Sequence, residues 1–329
     1  MVRLGLIGAN KQGLEHVFAS TCCQDVAFVA AIDTNKQTCK SFQSAYPNIS
    51  VFSDAYEFFR VPVDGYVLAL PHHVYEGIWA TLMTQGKPLL KEKPLGRTLK
   101  EAAQFLSECK KYNVPLVTAI QRRNHASYIH LKNLVQGQTI RTVTATLHLG
   151  FDPTNKPDSW RGVPISAGGG ALLDSGYHMV DLVFFFLSHL HLIDANIWFN
   201  GRLGTAEMLD TDAFLIGRSG QTWVRVESCV GGEAVQGQYQ KKELIQIETE
   251  NGLYEANREW VKKDGVVVYE CSKKWTNAMA DQLEHFGAMI TSGQFDTPKV
   301  WDQVSIMEII EKAYSIANLK APFEGGYDV

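Results

Sequence analysis

The sequence is short of the features that mark membrane-bound, nucleic-acid-binding, metal-centred and disulfide-stapled proteins. Its most apolar run, LVFFFL at 182–187, is too short to cross a bilayer. There is no long Lys/Arg block, and the formal charge is -4, so phosphate backbones and anionic lipid find little attraction. The six cysteines (Cys22, Cys23, Cys39, Cys109, Cys229 and Cys271) lack the C-x-x-C spacing of a zinc site or redox dithiol and read as reduced, mostly buried thiols. The amino terminus, MVRLGLIGA, runs straight into a strand pattern without the basic region, apolar run and small-residue cleavage site of a secretory signal. Together these absences predict a cytoplasmic protein with no nucleic-acid and no membrane partner.

What is present is ordinary globular usage. Hydrophobic residues make up 45% and charged residues 20% of 329, enough chain for two domains that each bury a core. In the first third, short apolar runs (VRLGLIG, VAFVAAID, GYVLAL, KPLLKEKPL, VPLVTAI) recur about one helix apart. That rhythm predicts α/β structure, a doubly wound parallel sheet with helices on both faces. After residue 122 the runs lengthen and alternate, as in IRTVTATLHLG, DAFLIGRS, QTWVRVESCV, ELIQIETENG and VVVYE, with Ser-Gly, Asn-Gly and Asp-Gly turn steps. The second half is therefore expected to be an α+β domain with a large, mainly antiparallel open sheet. An apolar helix is expected from near Ser175 to before His191, with two more near 276–291 and 301–318. The domain boundary is placed within AIQRRNH, giving domains 1–122 and 123–329.

Two N-terminal features point to a dinucleotide. GLIGANKQG follows the first strand and opens a helix, with Gly8 and Gly13 at the first and third glycine positions of the Rossmann fingerprint and Asn10 at the second. Gly8 would make the tight turn and Gly13 would allow close helix-to-strand packing. Asn10 is an acceptable replacement because asparagine tolerates left-handed backbone. VAFVAAID then ends in Asp33, spaced to accept hydrogen bonds from an adenosine ribose diol, which favours NAD. Lys36 and Lys40 follow closely enough in sequence to meet a 2′-phosphate, which keeps NADP open beside NAD.

Further along, LLKEKPLG closes another strand with Lys91, Glu92 and Lys93, where lysines in isolation read as solvated. In an open doubly wound sheet, however, the carboxyl ends of strands line the ligand crevice. With QRR at 121–123, WR at 160–161 and GGGALLDSGYHMVDL from Gly168 to Leu182, these pieces make the chain resemble the Gfo/Idh/MocA oxidoreductases along nearly its whole length. Two departures stand out: Asn10, and ALPHHVY where the family's usual stretch is Ala-Thr-Pro-Asn-x-x-His, with Leu70 for Thr, His72 for Asn and Tyr75 for His.

The resemblance implies an N-terminal Rossmann domain binding NAD(P), and a second domain whose open sheet mediates homodimers or homotetramers. It implies that Lys93, Asp174 and His178 face the nicotinamide. Its cofactor contacts would include Gly8, Asn10, Lys11, Gln12, Gly13, Asp33, Leu70, His72, Glu92, Arg122 and Arg161. Hydride removal from a secondary alcohol needs a base for the hydroxyl proton, which suits His178. Asp174, one turn earlier, would fix the imidazole or meet a substrate hydroxyl, and Lys93 would stabilise alkoxide character. Taken alone, Asp174 also fits a helix N-cap and His178 a buried ring.

Arg123, His125, Trp160 and Tyr177 are the candidates for gripping a polyhydroxylated substrate. Trp223, Tyr239 and Trp260 are read as packing the sheet or a subunit interface. Gly168, Gly169 and Gly170 are read as letting the backbone turn tightly beside nicotinamide and substrate. His72 and His73 are loop residues near the cofactor, and no metal site is expected. The activity expected is hydride transfer between NAD(P) and a sugar, cyclitol or related hydroxy compound. The alternatives are a redox glycosidase or lyase that keeps NAD bound, and a non-catalytic nucleotide-binding regulator.

Overall fold

Short aliphatic runs, each too short for a helix and each followed by a helical stretch, build a parallel six-stranded sheet. Its strands are β1 (Val2–Ile7), β2 (Val26–Ile32), β3 (Ser50–Phe52), β4 (Gly65–Leu68), β5 (Leu89–Glu92) and β6 (Leu116–Ala119), in the order β3-β2-β1-β4-β5-β6. The helices α1 (Lys11–Ser20), α2 (Lys36–Ala45), α3 (Ala55–Phe59), α4 (Tyr75–Gln85) and α5 (Leu99–Tyr112) alternate with them. This order reverses beside β1, and the crevice at such a switch point is where doubly wound sheets hold ligands. The computed structural model describes residues 1–150, 159–199, 209–231, 234–235, 238–239, 241–295 and 297–317, and for 234–235, 238–239 and 297–301 the backbone only.

The later half forms α6 (Ala126–Val135), β7 (Ile140–His148), α7 (Pro164–Ala167), α8 (Tyr177–Leu187), β8 (His191–Trp198), β9 (Asp212–Ser219) and β10 (Thr222–Cys229). A short ribbon, β11 (Ala234–Val235) with β12 (Gln238–Tyr239), precedes β13 (Lys242–Thr249), β14 (Gly252–Ala256), β15 (Trp260–Lys263) and β16 (Val266–Glu270). Eight of these strands form one sheet in the order β16-β15-β14-β13-β7-β10-β9-β8. Every neighbouring pair is antiparallel except β7 with β10. The Ser-Gly, Asn-Gly and Asp-Gly steps do close hairpins, between β9 and β10, β13 and β14, and β15 and β16. In β10, buried Val224 and Val226 alternate with exposed Trp223 and Arg225, so one face of the strand packs and the other is open. Trp260 in β15 is half-buried, while the side chain of Tyr239 lies outside the described residues.

The final helices are α9 (Trp275–Ser292) and α10 (Thr297–Ile316). The chain divides into two compact units, Met1–Leu95 with Ala103–Asn124 and Lys273–Trp301, and Gly96–Ala102 with His125–Ser272 and Asp302–Val329. A linear division at 122 therefore misses the return of α9 to the first unit. The physical reason is its apolar face: Met279, Leu283 and Phe286 join Leu4, Leu6, Val17, Phe28 and Val67 in one core. Burying each such Leu or Phe contributes about 1.5–3 kcal/mol.

Two further expectations are corrected. Only Cys109 is buried, while Cys22 is exposed and the other four cysteines are half-buried. Cys23 is pushed up to about 12 by burial and by Glu284, so it stays a thiol. The apolar segment is also longer than LVFFFL: Pro164–Leu187 is long and apolar enough to cross a membrane by length and composition alone, but 72% of its most apolar stretch is buried inside the protein. A core helix passes the same test.

Gly13 opens the packing of α1 on the sheet, since a Cβ there would lie 2.0 Å from the Gly8 carbonyl oxygen. We expect Gly13→Ala to cost about 1–3 kcal/mol, read as a lower denaturation midpoint. A wild-type midpoint would contradict this packing.

Candidate functional site

In the first unit, the turn after β1 fixes the start of α1. Gly8 has φ of +97°, and a Cβ there would sit 2.4 Å from the Ala69 carbonyl oxygen, so both backbone and space demand glycine. Asn10 is extended, with φ of -86°, and is not left-handed as its tolerance of that region suggested. It serves instead as the N-cap of α1, its Oδ1 accepting from the Lys11 amide at 2.9 Å. Lys11 is exposed. Asp33, just past β2, accepts from the Ala9 amide at 3.1 Å through Oδ2 and from the Asn35 amide at 2.9 Å through Oδ1. The carboxylate is thus held against the glycine turn and beside the start of α2, which Asn35 caps. A tight glycine turn, helix-start amides and a fixed carboxylate are the groups that a dinucleotide's pyrophosphate and ribose diol require. These residues fit NAD.

Glu92 ends β5 as a buried acceptor. Its Oε1 lies 2.7 Å from His16 Nε2 and accepts from Gln12 Nε2 at 3.1 Å and Gln121 Nε2 at 3.0 Å. Three elements, α1, β5 and the turn after β6, are tied at one oxygen. Lys91 is also buried, not solvated: its Nζ donates to the carbonyls of Glu92 at 3.1 Å and Pro94 at 2.7 Å and stands 3.8 Å from the centre of the Tyr75 ring. Lys93, on the loop that Lys91 braces, is half-buried.

The departure at Tyr75 has a local explanation. Its hydroxyl donates to the Leu68 carbonyl at 3.1 Å and accepts from the Leu70 amide at 3.3 Å, so the Leu70 N–H is engaged within the protein. His72 is buried, and Arg122 is buried with its guanidinium 5.5 Å from the Trp275 ring centre, while Arg123 is half-buried.

In the second unit, Leu172–Gly176 winds as a single π-helical turn leading into α8, a form concentrated at functional sites. Asp174 sits inside this turn, its amide donating to the Gly170 carbonyl at 2.9 Å, so it is not the N-cap of α8. Its Oδ2 accepts from Arg161 Nε at 3.1 Å, and the Arg161 guanidinium lies 4.2 Å from the Trp160 ring centre. The structure therefore brings Trp160, Arg161 and Asp174 together. His178 is half-buried on the first turn of α8.

Two expected substrate contacts are corrected by burial. Tyr177 has no exposed surface, and its hydroxyl donates at 2.6 Å to Gln303, which in turn donates to Asp181. His125 is 2% exposed, with Nδ1 2.9 Å from Ser127 Oγ. Both belong to the core of this unit. The glycine triplet is also reassigned: Cβ atoms at Gly168, Gly169 and Gly170 would strike Arg97, the Tyr314 hydroxyl and the Asp210 backbone, so these glycines make room for protein.

Residues that sequence reasoning missed include His16, Gln121 and Asp210. His16 follows Gln12 by four positions, one helical turn, which is a readable signal that both reach the same acceptor. Asp210 carries no such signal. Among the described residues no group of three or more His, Cys, Asp or Glu could hold a metal ion.

The sheet order and glycine corner are those of a Rossmann-type fold. Residues 2–120 match the Gfo/Idh/MocA family model of oxidoreductases with an NAD-binding Rossmann fold. It is 27% identical over 180 residues to the rhizopine catabolism protein MocA of Rhizobium meliloti, covering 54% of this chain and 55% of that one. It is 22% identical over 214 residues to myo-inositol 2-dehydrogenase of Thermotoga maritima, covering 64% and 63%. The matched segments thus span between about half and two thirds of these curated relatives. A solved oxidoreductase from Agrobacterium radiobacter, in complex with NAD+, L-tartaric acid and magnesium, superposes with a TM-score of 0.80 at 16% identity over 96% of both chains, which establishes the shared fold.

Glu92→Ala would leave three buried or half-buried donors without their shared acceptor. We expect a loss of about 1–3 kcal/mol, measured as a shifted urea midpoint, and an unchanged midpoint would rule out the shared-acceptor role.

Proposed function

We propose that this protein is an NAD(P)-dependent oxidoreductase, transferring a hydride between the nicotinamide and a secondary alcohol or carbonyl of a sugar, cyclitol or related hydroxy compound. The observation that carries the reading is the corner of Gly8, Ala9 and Asp33, in which a carboxylate is fixed by a backbone amide at the turn opening α1. The family match supports the reaction class, and the name myo-inositol 2-dehydrogenase on one relative supports the substrate class.

NAD supplies the hydride acceptor. The chain's own residues supply the rest. Asp33 would hold the ribose diol by accepting its hydroxyls, which would favour NAD over its 2′-phosphorylated form because a carboxylate repels phosphate. His178 takes the hydroxyl proton from the alcohol, and Lys93 offsets negative charge on the same oxygen as the C–H bond breaks. Asp174, held by Arg161, contributes a fixed acceptor for a substrate hydroxyl. In the reverse direction the imidazolium returns its proton to the carbonyl oxygen. We further propose a cytoplasmic homo-oligomer joined through the open sheet. Trp223, 44% exposed with the Arg218 guanidinium 3.8 Å from its ring centre, gives that face an aromatic anchor.

The test is a screen for reduced nicotinamide by absorbance over cyclitols, aldoses, sugar acids and nucleotide sugars. With the best substrate, Lys93→Ala and His178→Ala should each lower kcat by roughly 10²–10⁴-fold. Full activity in either variant would remove the role assigned to that residue.

A further inference from the structure

Asp210 lies outside every motif that suggested function, yet the segment carrying Asp174 and His178 is tied to it. It is 1% exposed. Its Oδ1 accepts from the Gly170 amide at 2.7 Å and from the Tyr314 hydroxyl at 2.6 Å, its Oδ2 accepts from the Leu172 amide at 2.7 Å, and its main-chain carbonyl accepts from the Ala171 amide at 2.7 Å. Three consecutive amides at the head of the π turn therefore end on one residue. These are the donors that a helix start leaves without intrahelical partners.

The approach is close enough to dictate sequence. A Cβ on Gly170 would lie 1.9 Å from the Asp210 carbonyl oxygen, so any larger residue would push the segment off its acceptor. The far side of the turn is secured as well, since the Ala171 carbonyl accepts from Ser175 Oγ at 2.8 Å and Ser228 Oγ at 2.7 Å.

A buried carboxylate is a costly way to gain stability alone, because desolvation opposes it and apolar packing would serve as well. Burial raises the Asp210 carboxyl above its ordinary value against the pull of its donors. Burial and the neighbouring carboxylate hold the Tyr314 hydroxyl well above its ordinary value, which keeps it a donor. What an acid provides here, and an apolar residue does not, is directional: two oxygens that fix where three donors point.

We propose that Asp210 is a positioning residue, setting the orientation of the turn that bears Asp174 and the helix start that bears His178, and acting on the reaction only through them. The proposal rests on the oxidoreductase reading for its kinetic consequence. Its structural consequence stands without turnover. Asparagine at 210 keeps the size but turns an NH2 group toward an N–H donor, so the turn shifts. A displacement of catalytic groups on the ångström scale costs about 10²-fold in rate.

The experiment uses the full chain as Asp210→Asn and Tyr314→Phe, assayed well below their unfolding midpoints. Asp210→Asn should lower kcat per folded molecule by roughly 10²-fold while the dissociation constant for NAD+ stays at the wild-type value. Tyr314→Phe, which leaves all three backbone donors in place, should show a smaller loss in the same parameter. Hydrogen exchange read by mass spectrometry should show protection lost in peptides covering 168–178 and kept across β7, β9 and β10. Wild-type kcat in Asp210→Asn, or protection lost uniformly across the second unit, would overturn the proposal and leave Asp210 an ordinary core acid. If Asp210→Asn does not fold, Tyr314→Phe decides by the same two readouts. If the wild type reduces no nicotinamide, the oxidoreductase reading fails, whereas the exchange pattern still decides whether Asp210 holds the turn.

Discussion

The bond from the Ala9 amide to the Asp33 carboxylate is the constraint around which the first unit is organised. β1 stands beside the reversal of strand order, so whatever follows it lies at the mouth of the crevice. For α1 to begin there, the chain must turn sharply, which Gly8 permits, and α1 must lie close to the turn, which Gly13 permits. The carboxylate then fixes the tip of β2 to that turn. Glu92 extends the same logic one layer along, tying α1 to β5 and to the turn after β6 through a single oxygen. Lys91, buried beneath the following loop, completes the brace.

The second unit uses the same chemistry in another place. An acid, half-buried in the first unit and buried in the second, gathers backbone amides beside a glycine whose Cβ would strike a backbone carbonyl oxygen. In the first unit the acid is Asp33 and the glycine is Gly8; in the second they are Asp210 and Gly170. In both cases the acid lies far from the glycine in sequence, and its bonds to backbone amides, that of Ala9 in the first unit and those of Gly170 and Leu172 in the second, fix a turn at the start of a helical segment that carries candidate functional groups. Carboxylates suit this task because they are acceptor-only and carry two oxygens, so their bonds to N–H groups are directional and stronger than neutral ones.

What the sequence made legible follows from which interactions are local. Strand periodicity, the hairpin turn steps and the spacing from Gly13 to Asp33 each depend on residues near one another in the chain, and they marked the parallel sheet, three hairpins and the cofactor corner. β3, with three residues, and β8, β14 and β15, with mixed exposure, gave no clear alternation. The return of α9 to the first unit depended on a distant apolar partner. The roles of Tyr177 and His125 were misread because a polar aromatic near a motif looks the same in sequence whether it faces a ligand or the core. Asp210 was invisible for the same reason: its partners are forty residues away at Gly170 and a hundred and four away at Tyr314. The glycine triplet was recognised as significant, but its reason, room for Asp210 and Tyr314, is tertiary.

On the function proposed above, the corner of Gly8, Ala9 and Asp33 holds a nicotinamide dinucleotide and Asp33 selects the unphosphorylated ribose. The most direct test is an equilibrium titration of NAD+ and NADP+, followed by protein fluorescence, into wild type and Asp33→Asn at one ionic strength. The account predicts tighter binding of NAD+ than of NADP+ in the wild type, and in the variant a loss of about tenfold for NAD+, the size of one charge-assisted hydrogen bond, with the preference narrowed. Equal affinity of the wild type and Asp33→Asn for NAD+, or tighter binding of NADP+ by the wild type, would contradict it.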